Sequence, residues 1–384
     1  EIYTLSLHDA LPIYELMFLS VCVLLFMVSV NTEEGFSRDM VYDSHVDPPI
    51  GTMATGVKKD VTIAWEAVDD AEGYLVYEAK GKNGKFNKIG ETYQCSFVAE
   101  KRNRGEIYRY FVRACKWKGK KFAYGKKSKV VETTVPITGV STVKNLLRTG
   151  LAPMGSTMYV WGGGWHLDDA IWKNKARQIG TNTAWREFAM NQGSDYNYKN
   201  FQYKRLEGLD CSGFIGFCIY NIMNTEENNE SYVISSKKMA KNFYERGWGK
   251  YVAKNNIETY VAGDIMSRIT GKGHVWMVVG DCSDGSVVVM HSSPKGVRLS
   301  GTATKEGDRN SEATALAEKY MKRYFPDWYR KYPGVMTNTD YLENYNQFKW
   351  NADTLSDPDD YREMWADEKV RRSEERRVGK ECRS

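Results

Sequence analysis

Gly208-Leu-Asp-Cys-Ser-Gly-Phe-Ile-Gly-Phe217 decides how the rest of this chain is read. An acidic residue and a cysteine open an apolar run, so Asp210 can cap a helix that carries Cys211 in its first turn. Phe214, Ile215, Phe217, Ile219 and Ile222 surround this helix on nearly all sides as far as Met223, which predicts burial. A helix N-terminus stabilises an anion, and cysteine attacks carbonyls as its thiolate, so the placement predicts an acidic, nucleophilic thiol. Such a cysteine needs a base. The chain has five histidines, and His274 and His291 lie downstream in strand-like segments. Cys218, about 10 Å further along the helix axis, cannot bridge to Cys211 and reads as core.

Downstream of the helix, AGDIMSR (262–268), GHVWMVVGD (273–281), SVVVMHSS (286–293) and GVRLSG (296–301) read as four short strands joined by Gly-containing turns, an antiparallel meander. His274 begins the second strand and His291 ends the third, so neighbouring strands can set them side by side. Upstream, MYVWGGGW (158–165) is an aromatic strand followed by glycines that permit a sharp turn and close backbone approach. Residues 165–206 hold Trp165, Trp172, Trp185, Tyr196, Tyr198, Phe201 and Tyr203 without a clean period, an insertion expected to pack mainly on itself, with a groove over the site as the alternative. Ser141 is expected to cap a helix with Val143, Leu146, Leu147 and Leu151, and 225–256 is polar and helix-prone. A helical period from Ser311 stops at Pro326, and 327–371 reads as a packed extension without assigned chemistry.

A length of 384 residues suits two domains plus tails, and 42% hydrophobic with 13% aromatic residues suffices for cores. Beyond a polar segment expected as linker (31–56), the period changes to two: Val61, Ile63 and Trp65 alternate with polar residues, and GYLVYEA, KFNKIGE and YRYFVRAC follow. That is a small all-β sandwich over 57–136. Its segment 58–134 holds 18 Lys and Arg against 10 Asp and Glu, a net +8 in a chain whose total is +5. Polyanions suit that segment alone, and a solvated basic face is the plainer reading. Seven cysteines at irregular spacing, with no CxxC pair, argue against a disulfide framework and a zinc site, and nothing calls for a cofactor or a nucleic-acid partner. The longest apolar run, 17–30, is shorter than a membrane span and fits an export-signal core within 14–30, although no Lys or Arg precedes it. Residues 1–13 and 372–384 resemble translated sequencing-adaptor read-through and are expected to add nothing to the fold.

Two resemblances sharpen this picture. VTIAWEAVDDAEGYLVYEA and the run Tyr108-x-Tyr110-x-Val112-x-Ala114 resemble strands of a fibronectin type III domain, with Trp65 as core tryptophan and Tyr108 as corner tyrosine. In that register Cys115 points away from the core, and no Cys95–Cys115 bridge is expected. YVWGG, DCSGF, GHVWMVVG and VVVMHSS, in that order over about 140–305, resemble the NlpC-type cell-wall cysteine peptidases. The resemblance implies an α+β, papain-like domain over 140–371, its Cys-bearing helix packed on an antiparallel sheet, after the sandwich. It implies Cys211 as nucleophile, His274 as base, His291 as orienter of the imidazole, Tyr159 as oxyanion partner, and Asp210 with Ser212 where the substrate's peptide end is read. The expected activity is metal-free hydrolysis of peptidoglycan stem peptides between D-glutamate and the diamino acid, by an exported, monomeric protein. The rivals are an amidase cutting between sugar and peptide, and an inert wall-binding or adhesion protein. In the family the aromatic-glycine motif lies closer to DCSGF, so 165–206 marks a departure that leaves specificity open.

Overall fold

The computed structural model describes residues 40–119, 121–164, 179–203, 207–223, 232, 234–336 and 341–356. The signal-like segment 14–30, both chain ends, Trp165, His166 and Trp172 lie outside the described residues. The architecture is mixed α+β with several sheets.

The first half is built from β1 (Val41–Tyr42), β2 (Met53–Val57), β3 (Asp60–Ala64), β4 (Gly73–Lys80), β5 (Asn87–Thr92), β6 (Ser96–Ala99), β7 (Ile107–Lys118), β8 (Lys121–Lys127) and β9 (Val131–Thr134). One sheet runs β2-β3-β6; the other runs β1-β8-β7-β4-β5, with β9 paired to the start of β7. The two inner faces share a core of Val61, Ile63, Trp65, Tyr74, Val76, Tyr108, Tyr110, Val112 and Ala114. Period-two alternation explains it: every second residue of β7 faces in, leaving Arg109, Phe111 and Arg113 for the other face. Trp65 meets Tyr74 edge-on at 5.2 Å, and the Asn103 N–H donates to the Tyr108 hydroxyl at 3.1 Å, the backbone tie expected of a corner tyrosine. Cys115 is buried outside this core, with Leu75 and Phe122, whereas Cys95 packs against it. Two strands arise inside 31–56, expected as linker: β1 pairs parallel to β8 and β2 pairs with β3. β1 is only two residues long and β2 reads Met-Ala-Thr-Gly-Val, so neither shows a period-two alternation and the backbone ladder makes them strands.

The second half is built from α1 (Val143–Leu151), α2 (Thr183–Met190), α3 (Cys211–Met223), α4 (Met239–Glu245), β10 (Gly249–Val252), β11 (Ile265–Arg268), β12 (Val275–Asp281), β13 (Val287–Ser293), β14 (Gly296–Gly301), α5 (Glu312–Tyr324), α6 (Pro326–Lys331) and β15 (Tyr345–Trp350). The sheet order is β10-β15-β11-β12-β13-β14, all antiparallel. The expected meander is β11 to β14. The two further strands fall in 225–256, expected as helix-prone, and in the extension 327–371; β15 enters between β10 and β11, carried by backbone pairing and by buried Gln347, which donates to Asp264 at 2.7 Å. Both sheet faces are covered. Val275, Met277, Val279, Val288, Met290, Val297 and Leu299 join the core of α3, while Trp276, Val278, Val287, Val289 and Tyr345 form a cluster on the other side. Burial on two faces accounts for the unbroken apolar runs of β12 and β13.

Thr142, not Ser141, caps α1, accepting from the Asn145 N–H, while the Ser141 hydroxyl is drawn away to the Ile222 carbonyl. Ser311 caps α5 as expected. Pro326 ends that helix but starts α6, because a proline in the first turn forfeits no internal hydrogen bond. The two halves are clasped by residues 179–190. Arg186 of α2 is buried and donates to the Thr55 hydroxyl at 3.3 Å and the Ala64 carbonyl at 3.1 Å, with its Nε 3.0 Å from Met53 Sδ. The Thr181 N–H donates to the Gly56 carbonyl at 3.3 Å.

Candidate active site

Helix α3 is buried from Cys211 to Ile222. Asp210 sits at its cap: Oδ1 accepts the Gly213 N–H at 2.7 Å and the Ser212 hydroxyl at 2.8 Å, and the Phe214 N–H closes on the Asp210 carbonyl. Oδ2 reaches the other motif, accepting the Gly162 N–H at 3.1 Å. Burial pushes this carboxyl above its ordinary range, with hydrogen bonds from Gly213, Ser212 and Gly162 working against that shift. The glycine turn and the helix start fit only as bare backbone. A Cβ on Gly213 would stand 2.1 Å from the Gly163 carbonyl oxygen, and Gly164, at φ +82°, leaves 2.6 Å between its own Cβ position and Gly213 Cα. The Ser292 hydroxyl donates to the Leu209 carbonyl at 2.7 Å and ties β13 to the same corner.

Helix α3 packs on β12, and the backbone N–H of Val275, the residue after His274, favours the Cys211 thiolate. His274 Nε2 lies 2.9 Å from His291 Nδ1, so adjacent strands do bring the two imidazoles together. His291 Nε2 lies 2.9 Å from the Ser300 hydroxyl on β14. Trp276 stacks on His291 at 5.4 Å and meets His274 edge-on at 5.3 Å, holding both rings. Ser300 and Trp276 were invisible as site residues in the sequence. They share a face with His291 by period two, a relation readable only once the register pairing Val289 with Ser300 is known.

Burial opposes the thiolate that the helix start is expected to favour. Burial pushes the Cys211 thiol up to about 12, reinforced by the Asp210 charge, and the N–H donors around the sulfur do not offset it. Burial likewise pushes His274 down to about 4, with Arg268 adding to the shift. His291 is held well below its ordinary value by burial, then by His274 and Arg298. Both shifts favour the neutral forms, thiol and imidazole.

Tyr159 is half-buried; burial first, then the charges of Cys211 and Asp210, push its hydroxyl up, which sets it in their company. The insertion does more than pack on itself. Phe188, Tyr196 and Phe201 do cluster together. In addition the Tyr196 hydroxyl donates to the Tyr159 carbonyl at 2.7 Å, and Tyr198 meets Tyr159 edge-on and Trp161 in parallel. Trp161 and Tyr203 stay exposed there, tied by the Tyr203 N–H donating to the Trp161 carbonyl at 2.7 Å. Trp185 anchors α2 on Phe217. His45 is remote in role, bonded to Asp43. Among the described residues one group of potential metal ligands occurs, Cys282, Asp284 and Glu312. Its carboxylates already accept the Ser286, Glu312 and Ser283 N–H groups, as turn and helix-start acceptors do.

No family model matches the chain, and no curated protein matches it significantly. Among solved structures, the chain is similar to a Fn3-like protein from Clostridium thermocellum, at 16% identity over 23% of this chain and 96% of that one, TM-score 0.20. A structure of titin kinase and its flanking domains matches at 18% identity over 24% of this chain, TM-score 0.21, and this chain spans 18% of its length. The twitchin kinase region from C. elegans matches at 15% identity over 23% of this chain and 16% of that one, TM-score 0.21. Each likeness is confined to about a quarter of the chain.

Proposed function

We propose that the protein is a papain-like cysteine peptidase of the NlpC type that hydrolyses peptidoglycan stem peptides outside the cell. One arrangement carries the reading: Cys211 at the start of α3, which packs on β12, together with a His274–His291–Ser300 chain with 2.9 Å links. Of the two tautomer sets that satisfy that chain, one suits the chemistry. His274 Nε2–H donates to His291 Nδ1, His291 Nε2–H donates to Ser300, and His274 Nδ1 is left as the acceptor that takes the thiol proton. The sulfur then attacks the peptide carbonyl carbon and a C–S bond forms. The C–N bond breaks as His274 returns the proton to the leaving amine, and water hydrolyses the thioester by the same base. The Cys211 N–H and Tyr159 would hold the oxyanion, with Asp210 and Ser212 beside the peptide end and Trp161 alongside the substrate. The D-glutamyl–diamino acid bond rests on the motif resemblance.

Replacing Cys211 by Ala should abolish release of muropeptide fragments from purified peptidoglycan, read by mass spectrometry; undiminished release sinks the assignment. Products retaining intact stem peptides would identify an amidase instead. Sedimentation with insoluble wall by wild type and variant alike, without any digestion, would identify an inert binding protein.

A further inference from the structure

Two turns at one end of the sandwich form a basic cleft that the proposed chemistry does not use. Residues 57–60 join β2 to β3, and 99–105 join β6 to β7. The Arg102 N–H donates to the Lys59 carbonyl at 2.6 Å and the Lys101 N–H to Asp60 Oδ1 at 3.0 Å, which zips the turns together. Between them lies a cleft of about 620 Å³ lined by Lys59, Lys101, Arg102, Asn103 and Arg104. Arg102 is held by Glu78 at 2.5 Å, and Arg104 donates to the Thr138 hydroxyl at 3.1 Å. Lys59 and Lys101 are exposed and form no ion pair among the described residues. Lys101 keeps a left-handed φ of +56°, a conformation that glycine adopts without strain, so a cationic side chain occupies a position where backbone preference asks for none.

The contrast with the other basic patch of the sandwich is informative. Arg109 lies over Phe86, Arg113 over Phe111 and Tyr124, and Lys127 over Phe111, and both arginines also donate to backbone carbonyls. Those cations are occupied by the fold; Lys59 and Lys101 are not.

We propose that this cleft binds the phosphate groups of a linear anionic polymer, a chain of phosphodiester-linked sugars or polyols. Two uncommitted lysines, Lys59 and Lys101, flank two arginines that the fold holds in place, and together they raise the local anion concentration in one concavity. No aromatic ring lines the cleft, so it offers no platform for stacking nucleobases, and this favours a polymer recognised by its backbone alone. The site would hold the sandwich on such a polymer whatever reaction Cys211 performs.

The test uses the full chain and labelled short-chain inorganic polyphosphate, read by fluorescence anisotropy at rising salt. Wild type should bind saturably and weaken steeply with salt. Lys59→Ala combined with Lys101→Gly should weaken binding by about tenfold or more, each lost cation also flattening the salt slope. Because Gly suits φ +56°, a loss in this variant is not a folding defect, and an unshifted thermal midpoint verifies that. Lys59→Arg with Lys101→Arg should keep affinity, and Lys127→Ala should leave it unchanged. Equal affinity in wild type and the double variant, or no binding at low salt, overturns the proposal. So does single-stranded DNA that binds more tightly and is lost with the same substitutions, which would make the cleft a nucleic-acid site.

Discussion

Cys211 and His274 are displaced from their ordinary values in opposite directions by one cause, loss of water at the junction of α3 and β12. Burial disfavours whichever form is charged, so the thiol rises to about 12 and the imidazole falls to about 4. The helix N-terminus, which the sequence made conspicuous, contributes too little to reverse this. A base with its pKa near 4 is competent at all higher pH, so kcat/KM on a stem-peptide substrate should hold down to about pH 4, not fall through 6.5. An acid limb centred at 6.5 in the measured profile would contradict this. The stability sign follows. The unfolded chain takes up a proton on this histidine below 6.5 that the folded chain refuses until about 4, so its contribution to stability is complete above 6.5 and erodes as pH falls through that window. At this scale the residue types of the site were legible, because Asp-Cys-Ser-Gly and a strand-initial His are local patterns. Ser300 was not, because a serine in a strand has no local mark of function.

Among the elements, the pairing of the glycine turn with the first turn of α3 positions the site. Gly213 has no space for a side chain against the Gly163 carbonyl. Gly213→Ala should therefore force the backbones apart and cost about 1–3 kcal/mol, seen as a lower urea midpoint at unchanged slope. An unshifted midpoint would mean that the turn is not packed there. The helices α3 and α5 and strands β11 to β14 were readable from period and punctuation. The strands β1, β2, β10 and β15 were not, since they are short or polar, and all but β2 owe their conformation to partner strands distant in sequence.

At the scale of the whole molecule, the insertion is what joins the halves. Arg186 donates into the sandwich from α2, while the same helix is anchored to α3 by Trp185 against Phe217. Burial pushes the Arg186 guanidinium down to about 10, so it stays charged at neutral pH, with the Ala64 carbonyl and the Thr55 hydroxyl as acceptors. Arg186→Ala should uncouple the halves, so that a single calorimetric unfolding transition in wild type resolves into two. A variant trace that superimposes on wild type would show that the clasp carries no coupling.

The sequence by itself determined the two-part α+β organisation, the buried helix with Cys211 at its start, and the strands that carry His274 and His291. Capping, helical period and period-two alternation act over a few residues and are written locally. Only the tertiary structure decided that the imidazoles meet at 2.9 Å, that Ser300 completes their chain and that the insertion is a clasp. It alone showed how deeply the cysteine is buried, which opposes the thiolate. These depend on strand register and on the depth of burial, and both are set by contacts between segments far apart in the chain.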